Sequence, residues 1–370
     1  MFQHPSTAVI DFGSSSIKSG IGGDDLPASI IAKKSTKIQR IRSKFLSLNL
    51  EDIDGDLKFP IERGGQISNF NDLEAMLQFI ISNELKDYLV ELTSPIMIVY
   101  NSVTTVKRNR VKIAEMLFEK LQSPIICLVD RSLSSLLAIG RTTGLVLKSG
   151  DGLTQSAPFC DGQLISQYCY KLEFGGRDLT EYMGKLIHDD LGFTIDKASG
   201  IEHHFKEIKE KLCEISMDYP LENQRIDICK KVYQVGDQTI TLGLEQFKCP
   251  EILFRPSLIN KPEQPSIHEL ILKSVNNLEP IFKRDCLDNM ILSGGNTLIP
   301  NFSERLVQEL NSSQSSDYKY KFRVISPPER EYSSWIGGSI LSCLHHVDNI
   351  SIKKSEFEEI GESIVHRKHL

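Results

Sequence analysis

Short β-branched runs and helical stripes of apolar residues succeed one another along the chain. Residues 7–11 read as a strand, 13–16 as a Gly/Ser turn and 17–22 as the returning strand. Residues 95–101 form a nearly continuous apolar run, as in a strand buried on both faces. Behind it, Ile113, Met116, Leu117 and Leu121 share one face of a helix expected over 110–121. A further apolar run at 124–130 leads into a helical stretch through Leu133, Leu136 and Leu137. Upstream, Leu73, Met76, Leu77 and Ile80 make an apolar stripe, with Asn71 and Glu74 at capping-box spacing before it. Strands alternating with helices in this order predict an α/β fold whose central sheets are covered on both faces. Two polar stretches, 33–44 and 311–317, read as exposed loops.

One pattern occurs twice. Residues 9–22 and 145–155 each run from an apolar strand through a turn of small polar residues into a second strand. Such an echo predicts two related halves that face each other across a cleft. The chain length of 370 residues suits two domains, and 40% hydrophobic with 25% charged residues is a soluble globular composition. A net charge of −6 gives no global attraction to nucleic acid or to an anionic membrane. No apolar run reaches bilayer length, and residues 1–11 lack a charged leader followed by an apolar stretch. The expected setting is cytoplasmic, with no nucleic-acid partner and no membrane insertion. The cysteines stand singly between Cys127 and Cys343, as reduced thiols do. The adjacent pairs His203–His204 and His345–His346 read as surface residues, because neighbours on a helix point apart.

The two turns carry the candidate chemistry. Gly13, Ser14, Ser15 and Ser16 form one tip; Gly150, Asp151 and Gly152 form the other. Small residues there let backbone N–H groups approach a phosphate, and Lys18 can return over the first tip to neutralise its charge. Asp11 and Asp151 are the carboxylates suited to hold the water shell of Mg²⁺. Gly294 and Gly295, after the apolar run 290–292, allow a base or ribose to approach the backbone. Each turn taken alone reads first as a tight hairpin with no ligand, and the Gly294–Gly295 step adds weight to the phosphate reading.

Together these segments resemble the actin family, and the resemblance runs from end to end. Asp11, Gly13, Ser14, Lys18 and Gly20 match its first phosphate loop. GRTTG at 140–144 and SGDG at 149–152 resemble the second loop and its approach. GRDLT at 176–180 and IKEKLC at 208–213 resemble the segments that frame the nucleoside, with Lys209 and Glu210 near the base. LSGG at 292–295 resembles the third nucleotide segment. PPER at 327–330, WIGGSIL at 335–341 and SIVHRK at 363–368 set the chain apart from heat-shock ATPases and sugar kinases of the same fold. The resemblance implies an actin-like ATPase fold: two similar domains with mixed sheets around a nucleotide cleft. Residues 1–134 and 335–370 would form the outer domain, with a shortened insertion at 31–59, and 135–334 the inner one. It also implies ATP or ADP as ligand, cytoskeletal partners and filament assembly timed by hydrolysis.

Departures from the family fall on the chemistry. Arg131 stands where a Gln orients the attacking water, Lys148 where a carboxylate holds the metal's outer shell, and Gln167 is aligned with a His of the water chain. A lysine ~5 Å from Mg²⁺ is repelled by roughly 7 kcal/mol at an effective dielectric of about 20. The expectation is therefore ATP or ADP retained with little metal dependence and very weak or no hydrolysis, the metal being disfavoured. An empty cleft, with Lys148 paired to Asp11 or Asp151, is the competing expectation. Phe12, Ser15, Ile299 and Glu331 also depart from the family around the nucleotide. Lys33, Lys34, Lys37, Arg40, Arg42 and Lys44 replace an apolar assembly loop, and the polar stretch 260–266 replaces an apolar plug. Desolvating such charges disfavours an ordinary homo-filament. The sequence thus reads as a divergent actin-like protein of the cytoplasm and cytoskeleton. It would act as a structural or capping subunit with actin or other cytoskeletal proteins. A conventional filament-forming ATPase and a nucleotide-free scaffold are the alternatives.

Overall fold

A computed structural model describes residues 7–34, 37–43, 60–62, 66–89, 94–191, 202–225, 229–236, 238–314, 320–344 and 347–369. The expectations placed on 44–59, 315–317 and His345–His346 lie outside them.

Two mixed sheets dominate. The strands of the first are β1 (Ala8–Phe12), β2 (Ser16–Ile21), β3 (Ser29–Lys34), β4 (Lys37–Ser43), β5 (Ile96–Tyr100), β6 (Ile125–Asp130) and β15 (Ile352–Lys353). Their order is β15-β6-β5-β1-β2-β3-β4. The strands of the second are β7 (Gly144–Ser149), β8 (Thr154–Cys160), β9 (Gln163–Leu164), β10 (Tyr170–Leu172), β13 (Met290–Ser293) and β14 (Val324–Ile325). Their order is β10-β8-β7-β13-β14, with β9 on β8. A separate hairpin joins β11 (Lys231–Val235) to β12 (Gln238–Leu242).

The predicted echo is present in the pairing. β1 is antiparallel to β2 and parallel to β5; β7 is antiparallel to β8 and parallel to β13. Both sheets bury both faces, which is why their strands lack polar alternation. Ile10 and Ile98 face one core with Leu73, Met76, Leu77 and Leu117, while Val9, Met97 and Val99 face another with Trp335. In the second sheet Leu145, Leu147 and Leu292 pack with Leu179 and Met183, whereas Val146 and Ile291 meet Leu133 and Leu136.

Local chemistry accounts for the element ends. The helix Phe70–Phe79 is capped by Asn69, whose side chain accepts from the backbone N–H of Asn71 and Asp72, so the cap lies two residues before the expected Asn71. The helix expected over 110–121 begins earlier, as Lys107–Glu115, and ends in a π-turn over Met116–Lys120. The stretch 33–44, expected as a loop, instead enters the β3–β4 hairpin, with Lys33 opposite Ile38 and Lys34 opposite Lys37. Backbone pairing there tolerates a charge-rich sequence because an edge strand can hold such residues. Residues 311 and 312 end the helix Phe302–Ser312 rather than lying in a loop. In the polar stretch 260–266, Ser266 forms a capping box with Glu269. His203 lies 3.2 Å from Glu207 and His204 3.2 Å from Tyr233, so the two rings serve different partners.

Two helices join the sheets. Arg131–Leu137 continues directly from β6, and it packs on Ser333–Ser342, which precedes β15 in the chain. A Cβ on Gly337 would sit 1.7 Å from the carbonyl oxygen of Ser134, so only glycine permits this approach. Trp335 on the second helix donates from Nε1 to the Val9 carbonyl at 3.0 Å, tying that helix to β1.

Candidate functional site

The two hairpin turns close alike: Gly13 N–H donates to Ser16 O at 3.0 Å, and Gly150 N–H to Leu153 O at 3.0 Å. Register therefore makes Asp11 and Lys148 counterparts. Asp11 is opposite Lys18 across β1–β2, and Lys148 is opposite Gln155 across β7–β8. The tips touch directly, with Gly152 N–H donating to Ser14 Oγ at 3.1 Å. Lys206, on the helix Glu202–Leu212, reaches Ser15 Oγ at 3.1 Å, and Asn101 donates to Gln155 Oε1 at 3.1 Å.

A cavity of ≈ 440 Å³ opens between the turns. Of the sequence-predicted residues, Asp11, Gly13, Ser14, Ser15, Lys18, Arg131, Lys148, Gly150, Asp151, Lys209, Glu210, Gly294 and Gly295 line it. Gly152 stands behind, its N–H engaged by Ser14. Gln167 does not join them: it is exposed on the short turn Ser166–Tyr168, away from the cavity. The buried glutamine behind the second turn is Gln155, which β8 brings opposite Lys148. Identifying it needed the strand register, since Gln155 and Gln167 are equally unremarkable in the sequence.

Both acids proposed for a metal are paired with arginines. Arg131 Nε donates to Asp11 Oδ1 at 2.7 Å and its Nη2 lies 2.5 Å from the same oxygen, in side chains 10% and 4% exposed. Arg177 Nη2 lies 3.0 Å from Asp151 Oδ2. Lys148, expected near either acid, donates instead to Ser334 Oγ at 2.7 Å. Burial alone would raise the Asp11 carboxyl, but Arg131, Lys18 and Lys148 together hold it below the ordinary carboxylate value. Burial pushes Lys18 down, with Asp11 and Glu331 opposing. Lys148 is pushed well below the ordinary lysine value, first by burial and then by Arg131. These residues do not fit a hydrated Mg²⁺: its carboxylates are taken by guanidinium groups, and a buried lysine lies among them.

The same arrangement fits an anion. With Arg131 on Asp11, Arg177 on Asp151 and Lys206 4.0 Å from Glu210, the cavity keeps Lys18, Lys148 and Lys209 against Glu331. At the far end Lys209, 4% exposed, donates to the Gly176 carbonyl at 3.0 Å, and burial lowers its pKa. Gly294 has φ +92°, and a Cβ there would sit 2.3 Å from Ser149 O, so the third segment presses against the second turn. Asn296 secures it by donating to Ser149 Oγ at 3.0 Å and Gly150 O at 2.8 Å. Sequence reading missed Lys206, Arg177, Asn296 and Ser334. Lys206 was findable, lying one helical turn before Lys209, and Arg177 lies within the GRDLT segment.

Compared with models of known protein families, the sequence matches that of actin over residues 2–370.

Proposed function

The chain belongs to the actin family, with its actin-like α/β fold, and from that premise we propose that the cleft holds the phosphates of ATP or ADP with protein cations in place of Mg²⁺. Family members generally bind ATP or ADP with Mg²⁺ and work among cytoskeletal partners. The observation that carries the departure is the buried Arg131–Asp11 pair, with Arg177 on Asp151 beside it. Lys18 and the N–H groups of the two turns would hold phosphate, with Lys206 beside the first tip. The segments 176–180 and 294–296, with Lys209 and Glu210, would frame the nucleoside.

Hydrolysis needs a water held in line with the terminal phosphate and charge stabilisation at the leaving oxygen. Arg131 is turned onto Asp11 and carries no acceptor for such a water, and the Gln155 Oε1 is already engaged by Asn101. Turnover is accordingly weak or nil in this reading. The protein is then a cytoplasmic, cytoskeletal subunit that joins actin-like partners as a structural or capping element, rather than a self-polymerising filament protein. The polar stretch 260–266 supports this, because Ser266 and Glu269 use it to start a helix.

A second reading, the nucleotide-free scaffold, is favoured by one feature: the Gly152–Ser14 and Lys206–Ser15 bonds join the two sides through protein groups alone. Quantifying nucleotide released on denaturation, with and without prior EDTA, decides between them. About one nucleotide per chain that survives EDTA supports the cation-held site. Loss with EDTA supports a metal-bridged site, and none in either sample, with no binding of added ATP, supports the scaffold.

A further inference from the structure

Ser334 and Lys148 form a pair that phosphate binding alone does not require. Both line the cleft, with Nζ 2.7 Å from Oγ. Two other lysines there touch serine hydroxyls, Lys18 at 3.3 Å from Ser16 Oγ and Lys206 at 3.1 Å from Ser15 Oγ. Each of those two also has carboxylates beside it: Asp11 and Glu331 act on Lys18, and Glu210 lies 4.0 Å from Lys206. Lys148 has a hydroxyl as its hydrogen-bond partner. Burial and Arg131 act first against its charge and Lys18 adds to them, while Asp11 and Asp130 oppose. An amine in that setting offers its lone pair and behaves as a base.

Ser334 is also held in place. Its Oγ lies 2.9 Å from Ser135 Oγ, which is 3.0 Å from Ser293 Oγ and 3.2 Å from Ser333 Oγ. Each hydroxyl in this ring can donate or accept, so a proton can leave Ser334 toward Lys148 without stranding a neighbour. Ser334 is the second residue of the ten-residue helix Ser333–Ser342, where the helix dipole favours added negative charge.

We propose that Ser334 is a nucleophile activated by Lys148, and that it accepts the terminal phosphoryl group of a nucleoside triphosphate in the cleft. This rests on the nucleotide-binding reading above. Ser334 Oγ bonds to the terminal phosphorus while the bond from that phosphorus to the bridging oxygen breaks. The hydroxyl proton passes to Lys148 Nζ, and the nucleoside diphosphate departs with the bridging oxygen and its electron pair. No oxidation or reduction occurs. Lys18 supplies positive charge on the side of the turns. The phosphoserine then pairs with the newly formed Lys148 ammonium at a helix N-terminus, a favourable position for it.

The test incubates the full chain in EDTA with ATP labelled at its terminal phosphate, maps the label by peptide mass spectrometry and quantifies bound nucleotide in parallel. The expected result is phosphate on Ser334, at most one per chain, formed faster as pH rises and Lys148 loses its proton. Lys148→Arg keeps a positive charge but supplies no base, and should lower the rate at least about 100-fold. A fluorophosphonate should modify Ser334 in the nucleotide-free chain, a readout independent of transfer; an inert Ser334 would overturn its nucleophilic character. Bound nucleotide with Ser334 unphosphorylated overturns the transfer and leaves the binding reading standing. No bound nucleotide overturns both. Because label and adduct are mapped on the unsubstituted chain, neither outcome depends on a variant folding.

Discussion

Arg131 and Asp11 meet at 2.7 Å through Nε and Oδ1, at the junction of β1 with the helix that follows β6. The pair answers two questions at once. It accounts for an arginine in the cleft between the two turns, and it withdraws the carboxylate that a metal's water shell would need.

Removing one partner of a buried pair leaves the other uncompensated. Arg131→Gln should therefore destabilise the fold by about 3–5 kcal/mol in urea unfolding at neutral pH. The folded Asp11 carboxyl lies below its ordinary value, so its stabilisation is full above the unfolded pKa and is lost as pH falls through the folded one. The gap between wild type and variant should accordingly narrow in acid. A constant gap would show that the charge of Asp11 contributes little.

Metal dependence should be switchable. In the wild type, EDTA should leave bound nucleotide in place. The double variant Arg131→Gln, Lys148→Asp frees Asp11 and supplies a second acid, and its nucleotide should become EDTA-sensitive. Chromatography of released nucleotide reads both. EDTA-sensitive retention by the wild type would reject protein cations as the phosphate's counter-charge.

The buried Lys148 gives stability a direction with pH. Its folded pKa is well below that of an unfolded lysine, ~10.4. Between those values the unfolded chain binds a proton that the folded chain does not, so stability rises with pH across that window and falls as pH drops through it. Burial of Lys18 acts in the same direction. Lys148→Met should flatten the profile in denaturant titrations at several pH values. Phosphate binding should show the reverse trend. An anion favours the Lys18 ammonium, which burial opposes, so binding takes up a proton there and should weaken as pH rises, as calorimetry in buffers of different ionisation enthalpy can detect.

The close approach of the two joining helices should be intolerant of a methyl group. Gly337→Ala places a carbon 1.7 Å from a backbone oxygen, and the helices must separate. A cost of about 1–3 kcal/mol is expected in thermal unfolding. Because Ser333 and Ser334 ride on one of these helices, fluorophosphonate labelling of Ser334 should fall as well. An unchanged melting temperature would mean the helices shift apart freely.

Much of the frame was legible in the sequence, and for a definite reason. Strand runs such as 95–101 and the glycine–serine turns report local backbone demands: apolar residues for two-sided burial, small ones for tight turns. The duplicated plan at 9–22 and 145–155 was visible because each hairpin carries its own turn chemistry. Where local signals competed, reading failed. Asn69 caps its helix ahead of Asn71, and a run of charges at 33–44 lies in a hairpin.

Sequence by itself determined the family, the two turns and the presence of Arg131 and Lys148 among them, because these depend on residue identity at fixed spacing. Tertiary structure decided which charge meets which. Arg131 is 120 residues from Asp11 and Lys148 is 186 from Ser334. Only the packing of the helices Arg131–Leu137 and Ser333–Ser342 against the two hairpins brings those atoms within bonding distance. Strand pairing between β7 and β8 sets Gln155, rather than the exposed Gln167, behind the second turn. Hydrogen bonds and ion pairs act over a few ångströms, so partners this distant along the chain are chosen by the fold.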